Sequence, residues 1–181
     1  MKAEIKSEMV IPEGVTVNVA DTLVTVKGPK GEDSREYSYP GVGIVADGGK
    51  VTLSCSNASK REKRILSTFL AHVKNMLRGV RTPFEYKLKI CSGHFPMNVS
   101  VSGNKLVVKN FLGEKHPREC SFVEGVSVKV SGTEVKVTGV SREKVGLVTG
   151  RIEQLCRITN KDRRIFQDGI YIVKKPGRDL S

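Results

Sequence analysis

The sequence predicts an α+β protein built as a tandem duplication, each copy a small antiparallel sheet covered by one helix. Three observations carry that prediction. Short runs alternate apolar and polar residues, the period-two pattern of strands with one buried face. Two longer stretches place apolar residues three and four apart, the pattern of a helix with one greasy side. The whole order then recurs at a nearly constant offset: Ile11-Pro12 and Phe95-Pro96 lie 84 residues apart, the VKGPKGE and VKNFLGE loops 82 apart, and Val51 and Val135 again 84 apart. Offsets that hold across several elements mark a repeat, and their small drift falls in turns, where added length costs little.

In the first copy, residues 1–82, a polar lead is followed by the alternation Val15-Thr16-Val17-Asn18-Val19 and, after Ala20-Asp21-Thr22, by Leu23-Val24-Thr25-Val26, a hairpin by period and turn composition. Lys27-Gly28-Pro29-Lys30-Gly31 reads as a loop that holds Lys27 and Lys30 outward. Residues 42–45, a turn at Asp47-Gly48-Gly49 and residues 51–53 form a second hairpin. Ser59 and Glu62 make a capping box for a helix with Leu66, Phe69, Leu70, Val73, Met76 and Leu77 on one face and Gly79 beyond its end.

The second copy, residues 83–181, repeats this. Residues 81–90, with Phe84, Tyr86 and the alternation Lys87-Leu88-Lys89-Ile90, read as an added strand rather than a slack linker, so the two copies are expected to be docked. Residues 99–101 and 106–108 form the first hairpin, residues 109–115 take the place of the Gly-Pro loop, and residues 126–130 and 135–137 form the second hairpin. Ser141 caps a helix with Val145, Val148, Ile152 and Leu155 on one side.

Composition narrows function. The 181 residues carry 31 Lys+Arg against 19 Asp+Glu, a net charge of +12, and such a field attracts polyanions, nucleic acid above all. The charge is unequally shared: residues 1–82 hold 13 basic and 9 acidic residues, net +4, and residues 83–181 hold 18 and 10, net +8. The second copy is therefore expected to be the nucleic-acid anchor. No run of eighteen apolar residues occurs and the first six residues lack an apolar signal core, so neither a membrane span nor secretion is expected. Cys55, Cys91, Cys120 and Cys156 lie far apart, without the close spacing of a zinc knuckle, and read as reduced packing residues.

Catalytic readings find little support. Gly28-Pro29-Lys30-Gly31 lacks the spacing of a nucleotide-binding loop. Cys91 and His94 stand three apart on a strand-like stretch, which points them to opposite faces and away from a thiol-imidazole pair. No cofactor or metal is expected, and the protein is expected not to be an enzyme.

The chemistry concentrates in residues 156–175. Arg157, Lys161, Arg163 and Arg164 precede Asp168-Gly169, an apolar run with Tyr171 inside it, and then Lys174 and Lys175. Arginine and lysine meet phosphate oxygens while an aromatic ring can lie on a sugar or base, so this mixture suits an RNA surface. Two local structures fit. Either residues 165–173 form a two-residue hairpin about Asp168-Gly169, with Gly169 at positive φ, or residues 161–167 form one helical turn capped by Asn160, with residues 170–173 joining a sheet. A second candidate patch surrounds Phe111: Lys109, Asn110, Lys115, His116 and Arg118.

Several motifs in this order together resemble the L-six family of large-ribosomal-subunit proteins, number nine in eukaryotic naming. They are Ile11-Pro12-Glu13-Gly14-Val15, Val26-Lys27-Gly28-Pro29-Lys30-Gly31, Tyr86-Lys87, His94-Phe95-Pro96-Met97-Asn98, Asn110-Phe111-Leu112-Gly113-Glu114-Lys115, and the run from Lys161 through Asp168-Gly169-Ile170-Tyr171. The closing run is similar to the archaeal and eukaryotic branch, although Cys91 stands where that branch often has an aromatic. The resemblance implies a structural constituent of the large subunit, cytoplasmic on the ribosome and nucleolar during assembly if eukaryotic. It further implies binding to large-subunit rRNA near the factor-binding region, with ribosomal proteins as neighbours and translation factors at the adjoining site. The site residues expected to meet rRNA are those of the two patches, with Lys27 and Lys30 as a secondary contact. The competing reading is a free-standing nucleic-acid- or protein-binding module outside the ribosome.

Overall fold

The computed structural model describes residues 3–47 and 49–179. The chain divides after Pro83 into two compact units. The first contains strands β1 (Ala3–Val10), β2 (Thr16–Ala20), β3 (Leu23–Gly28), β4 (Gly31–Glu36), β5 (Val42–Asp47) and β6 (Lys50–Ala58), then helix α1 (Lys60–Gly79). In the second are β7 (Phe84–Cys91), β8 (Asn98–Ser102), β9 (Lys105–Lys109), a 3-10 turn (Phe111–Gly113), β10 (Arg118–Ser121), β11 (Val126–Ser131), β12 (Glu134–Gly139), helix α2 (Arg142–Leu155), β13 (Gly169–Lys175) and β14 (Arg178–Asp179). Element by element the two orders coincide through the helix.

Both units are α+β, all strand pairs are antiparallel, and each helix packs on a sheet. The expected single sheet per unit is two. In the first unit the orders are β1-β6-β5 and β2-β3-β4; in the second they are β11-β12-β7-β13-β14 and β10-β9-β8. The second strand of each turn-linked pair, β4 or β10, was invisible to the alternation rule. β4 reads Gly-Glu-Asp-Ser-Arg-Glu, and only its pairing along β3 makes it a strand. The same holds for β1, the polar lead, which pairs along β6. Gly28 to Gly31 is not an open loop but a two-residue turn closing β3 onto β4, and its tip is anchored by a bond from the Lys30 amide to the Val80 carbonyl, 3.0 Å. The turn expected at residues 47–49 lies between β5 and β6; its Gly48 is outside the described residues.

Helix α1 begins as its residues dictate. Ser59 Oγ accepts from the Arg61 amide at 3.2 Å, the Glu62 carboxylate takes the Ser59 amide at 2.8 Å, and Ser59 Oγ donates to the same carboxylate. Those bonds hold the Glu62 carboxyl down at about 2, so the cap is charged throughout the neutral range. Ser141 stands at the cap of α2 without a side-chain bond.

The second core gathers Leu88, Val135 and Val137 from the five-stranded sheet, Leu106 and Val108 from the smaller one, Val145, Val148 and Ile152 from α2, and Phe111 and Ile170. Each such side chain contributes roughly 1.5–3 kcal/mol by leaving water. Ile170 is thus a core residue, and it fixes the start of β13 beside β7. Cys55, Cys120 and Cys156 are buried among apolar atoms, and burial pushes the Cys156 thiol up to about 11.

Candidate nucleic-acid interface

The segment between α2 and β13 is a single turn followed by a strand, the second of the two forms the sequence allowed. The turn starts two residues later than expected. Asp162, not Asn160, caps it: Asp162 Oδ1 accepts from the Arg164 amide at 2.9 Å, and the Ile165 and Phe166 amides bond to the Asp162 carbonyl at 3.1 and 2.9 Å. Asn160 is left-handed, at φ 59, and only redirects the chain. Gly169 does not take positive φ; a Cβ there would crowd the Tyr171 ring at 3.1 Å.

Asp168 faces inward. It is 1% exposed, its Oδ1 accepts from the Gly93 and His94 amides, the latter at 3.2 Å, and its Oδ2 lies 2.9 Å from His94 Nδ1. A carboxylate can only accept, so Nδ1 carries the hydrogen. Burial alone would raise the Asp168 pKa, but the two amides and the imidazole outweigh it and hold the group below its ordinary value. The His94 ring stacks on Phe166 at 5.0 Å, and Lys161 Nζ lies 4.8 Å from the Phe166 ring centre. His94 is thereby committed to Asp168, which leaves nothing of the imagined pairing with Cys91.

Arg118, expected to reach outward, is also an internal staple. Nε and one terminal nitrogen grip Glu114 at 2.8 and 2.6 Å, the other donates to the Leu155 carbonyl at 2.7 Å, and the guanidinium covers the Phe111 ring at 4.3 Å. The bond with Arg118 pulls the Glu114 carboxyl down. One side chain thus closes the turn at residues 111–113 and satisfies the open end of α2. Asn110 bonds the Pro96 carbonyl at 3.1 Å, and both Asn110 (φ 59) and Leu112 (φ 49) hold left-handed backbone. Such a conformation is uncommon outside glycine and persists only where surroundings enforce it.

The remaining sequence-predicted residues do face solvent. Lys109, Lys115 and His116 are exposed on the Phe111 side; Arg157, Lys161, Arg163, Arg164, Tyr171, Lys174 and Lys175 are exposed on the other. Arg164 is held in a two-pronged bond to Asp162, 2.7 and 3.1 Å, which aims it while leaving its side chain 90% exposed. Tyr171 donates to the Gln167 carbonyl at 3.1 Å, and partial burial pushes its phenol above the usual range. Its ring separates two open clefts, one of about 640 Å³ lined by Ser92, His94, Ile165 and Gln167, the other of about 470 Å³ lined by Glu153, Arg157, Ile158 and Arg163. In the first unit, Lys27 pairs with Glu32 at 3.1 Å and Lys30 is exposed at the hairpin tip.

Sequence reasoning missed the piece that joins the patches, residues 92–96. Through His94 it holds the turn before β13, and through Pro96 and Phe95, whose ring is 3.6 Å from where a Gly113 Cβ would be, it holds the Phe111 turn. The signal available was the His94-Phe95-Pro96 run, which stands among the motifs that carry the family resemblance.

The fold is a duplicated α+β chain whose second copy carries a basic face stapled from within. The sequence profile of the family described as Ribosomal protein L6 matches residues 11–82 and 95–169. The large ribosomal subunit protein uL6 of Methanobrevibacter smithii is 46% identical over 173 residues, covering 96% of this chain and 97% of the relative. The chain belongs to the ribosomal protein L6 family, and the relative's archaeal source agrees with the branch that the closing motif resembles. It is a structural constituent of the ribosome and not an enzyme.

Proposed function

We propose that this protein is a cytoplasmic large-subunit component that binds and stabilises large-subunit rRNA through its second unit, near the factor-binding region. The observation that carries the reading is the clustering of Arg157, Lys161, Arg163, Arg164, Lys174 and Lys175, all exposed, around the exposed Tyr171 on a segment held rigid from within. Rigidity counts because ordering a loose cationic tail on RNA would cost about 1–2 kcal/mol per residue. With few exposed aromatics, the face suits the backbone and shape of folded RNA rather than unstacked bases. Ribosomal proteins are the expected neighbours, and the less charged first unit is left to meet them or passing translation factors.

The test is binding of the full chain to transcribed large-subunit rRNA. Affinity should fall with salt at a log-log slope of about minus four to minus seven, as expected for roughly five to eight neutralised phosphates. Replacing Arg163, Arg164, Lys174 and Lys175 together by Ala should weaken binding by more than about 3 kcal/mol, with circular dichroism unchanged. A flat salt response, or a quadruple variant that binds like the parent, refutes the reading. Failure of the protein to co-migrate with large subunits in high-salt gradients would refute it independently.

A further inference from the structure

The five-stranded sheet has two faces. One is covered by α2 and carries Tyr86, Leu88, Val135 and Val137, all buried. Alternation puts the residues between them on the opposite face. There the register lines up one residue from each of four strands: Lys129 of β11 pairs with Lys136 of β12, Lys136 with Lys87 of β7, and Lys87 with Lys174 of β13. Four lysines therefore stand side by side across the sheet, in a row about 14 Å long at the usual strand spacing.

Like charges directly opposite across strands are destabilising, and a row of four repeats the penalty at each step. Little in the chain relieves it. Lys87 Nζ lies 3.9 Å from Glu85, the limit of an ion pair, Lys174 stands in register opposite Asp179 of β14, and among the described residues Lys129 and Lys136 have no ion-pair partner. The adjoining row holds Glu134, Lys89 and the exposed Tyr171. A straight file of cations with an aromatic beside it fits a linear polyanion. It is also continuous with the surface already described, because Lys174 and Tyr171 belong to both.

We propose that this helix-free face, through Lys87, Lys129 and Lys136, is a second RNA-backbone contact, so that rRNA runs from the segment before β13 across the sheet. The proposal rests on the reading that the second unit meets rRNA, and adds three contact residues outside both sequence-predicted patches. The lysine stems lie along the sheet while the ammonium groups reach the phosphates, and bound RNA removes the repulsion that the unbound row must tolerate.

The experiment compares full-length Lys87→Gln/Lys129→Gln/Lys136→Gln with the parent and with the quadruple Ala variant above, using transcribed large-subunit rRNA as probe. The triple variant should lose at least about tenfold in affinity at moderate salt, and its salt slope should be shallower by about two to three, near one for each phosphate released. Its melting temperature without RNA should rise, since like charges have been removed from a folded sheet. Lys129→Gln alone, on an edge strand, should lower the slope by about one and guards against misfolding of the triple variant. Unchanged affinity and slope in the triple variant, with the quadruple variant still defective, overturns the lysine row but leaves the anchor standing. If neither variant is affected, both readings fail. Polyglutamate that displaces rRNA from the parent but not from the triple variant would indicate an acidic protein as occupant and would also overturn the proposal.

Discussion

Replacing Asp168 by Ala should loosen the segment that presents the basic face while leaving its cations in place. The carboxylate is 1% exposed and receives the Gly93 and His94 amides and the His94 ring. Hydrogen bonds to a charged group contribute about 1.5–3 kcal/mol each, but the stranded donors sit in an exposed loop where water replaces part of the loss, so a net cost of about 2–4 kcal/mol is expected. Native-state hydrogen exchange at the Ile170 and Ile172 amides reads the local opening. Those amides should exchange about thirtyfold to a thousandfold faster, since each 1.4 kcal/mol is a factor of ten. Asp168→Asn keeps an acceptor for the two amides and should lie much closer to the parent. Acid supplies a second check. The folded pKa is depressed, so the stabilisation is fully present above the ordinary carboxylate value of about 4 and is lost as pH falls below it, through the folded pKa. An Ala variant whose β13 amides exchange within threefold of the parent's, or a parent that loses this protection between about pH 5 and 7, would refute the assignment of Asp168 as the clasp.

Two further expectations follow from the same contacts. Arg118→Ala should lower stability by about 2 kcal/mol in urea denaturation, and Arg118→Lys should not restore it, because one ammonium cannot grip Glu114 with two prongs and also reach the Leu155 carbonyl. Gly28→Ala should cost about 1–3 kcal/mol by thermal melting, because the added methyl would stand 2.8 Å from the side chain of the fully buried Val80 and 3.0 Å from its carbonyl.

What the sequence made legible follows a physical line. Hairpins β2-β3, β5-β6, β8-β9 and β11-β12 were readable because each contains a strand with one apolar face. The capping box announced α1 at its first turn. Strands β1, β4 and β10 were not readable, since edge strands are rich in charge and owe their form to a neighbour distant or adjacent in the chain. In the site, the exposed cations were readable by type and clustering. Asp168 and Arg118 were assigned to the surface because charged residues usually lie there; only the fold brings Gly93 to one and Glu114 with Leu155 to the other. Lys87, Lys129 and Lys136 lie far apart in the chain, and register alone sets them in a file.

The pairing of β13 with β7 also fixes the order in which the molecule can take shape during synthesis. The first unit's sheets and helix use nothing beyond Pro83, so that unit can close while the rest is still being made. The second cannot. Until Lys175 has emerged, the strand from Phe84 to Cys91 has one bare edge and Ile170 has no place in the core. During that interval the arginines after α2 belong to an unstructured tether, and ordering such a tether on RNA would cost about 1–2 kcal/mol per residue. On the proposed reading of the second unit as the rRNA anchor, its hold therefore matures in the same closing step that completes the sheet.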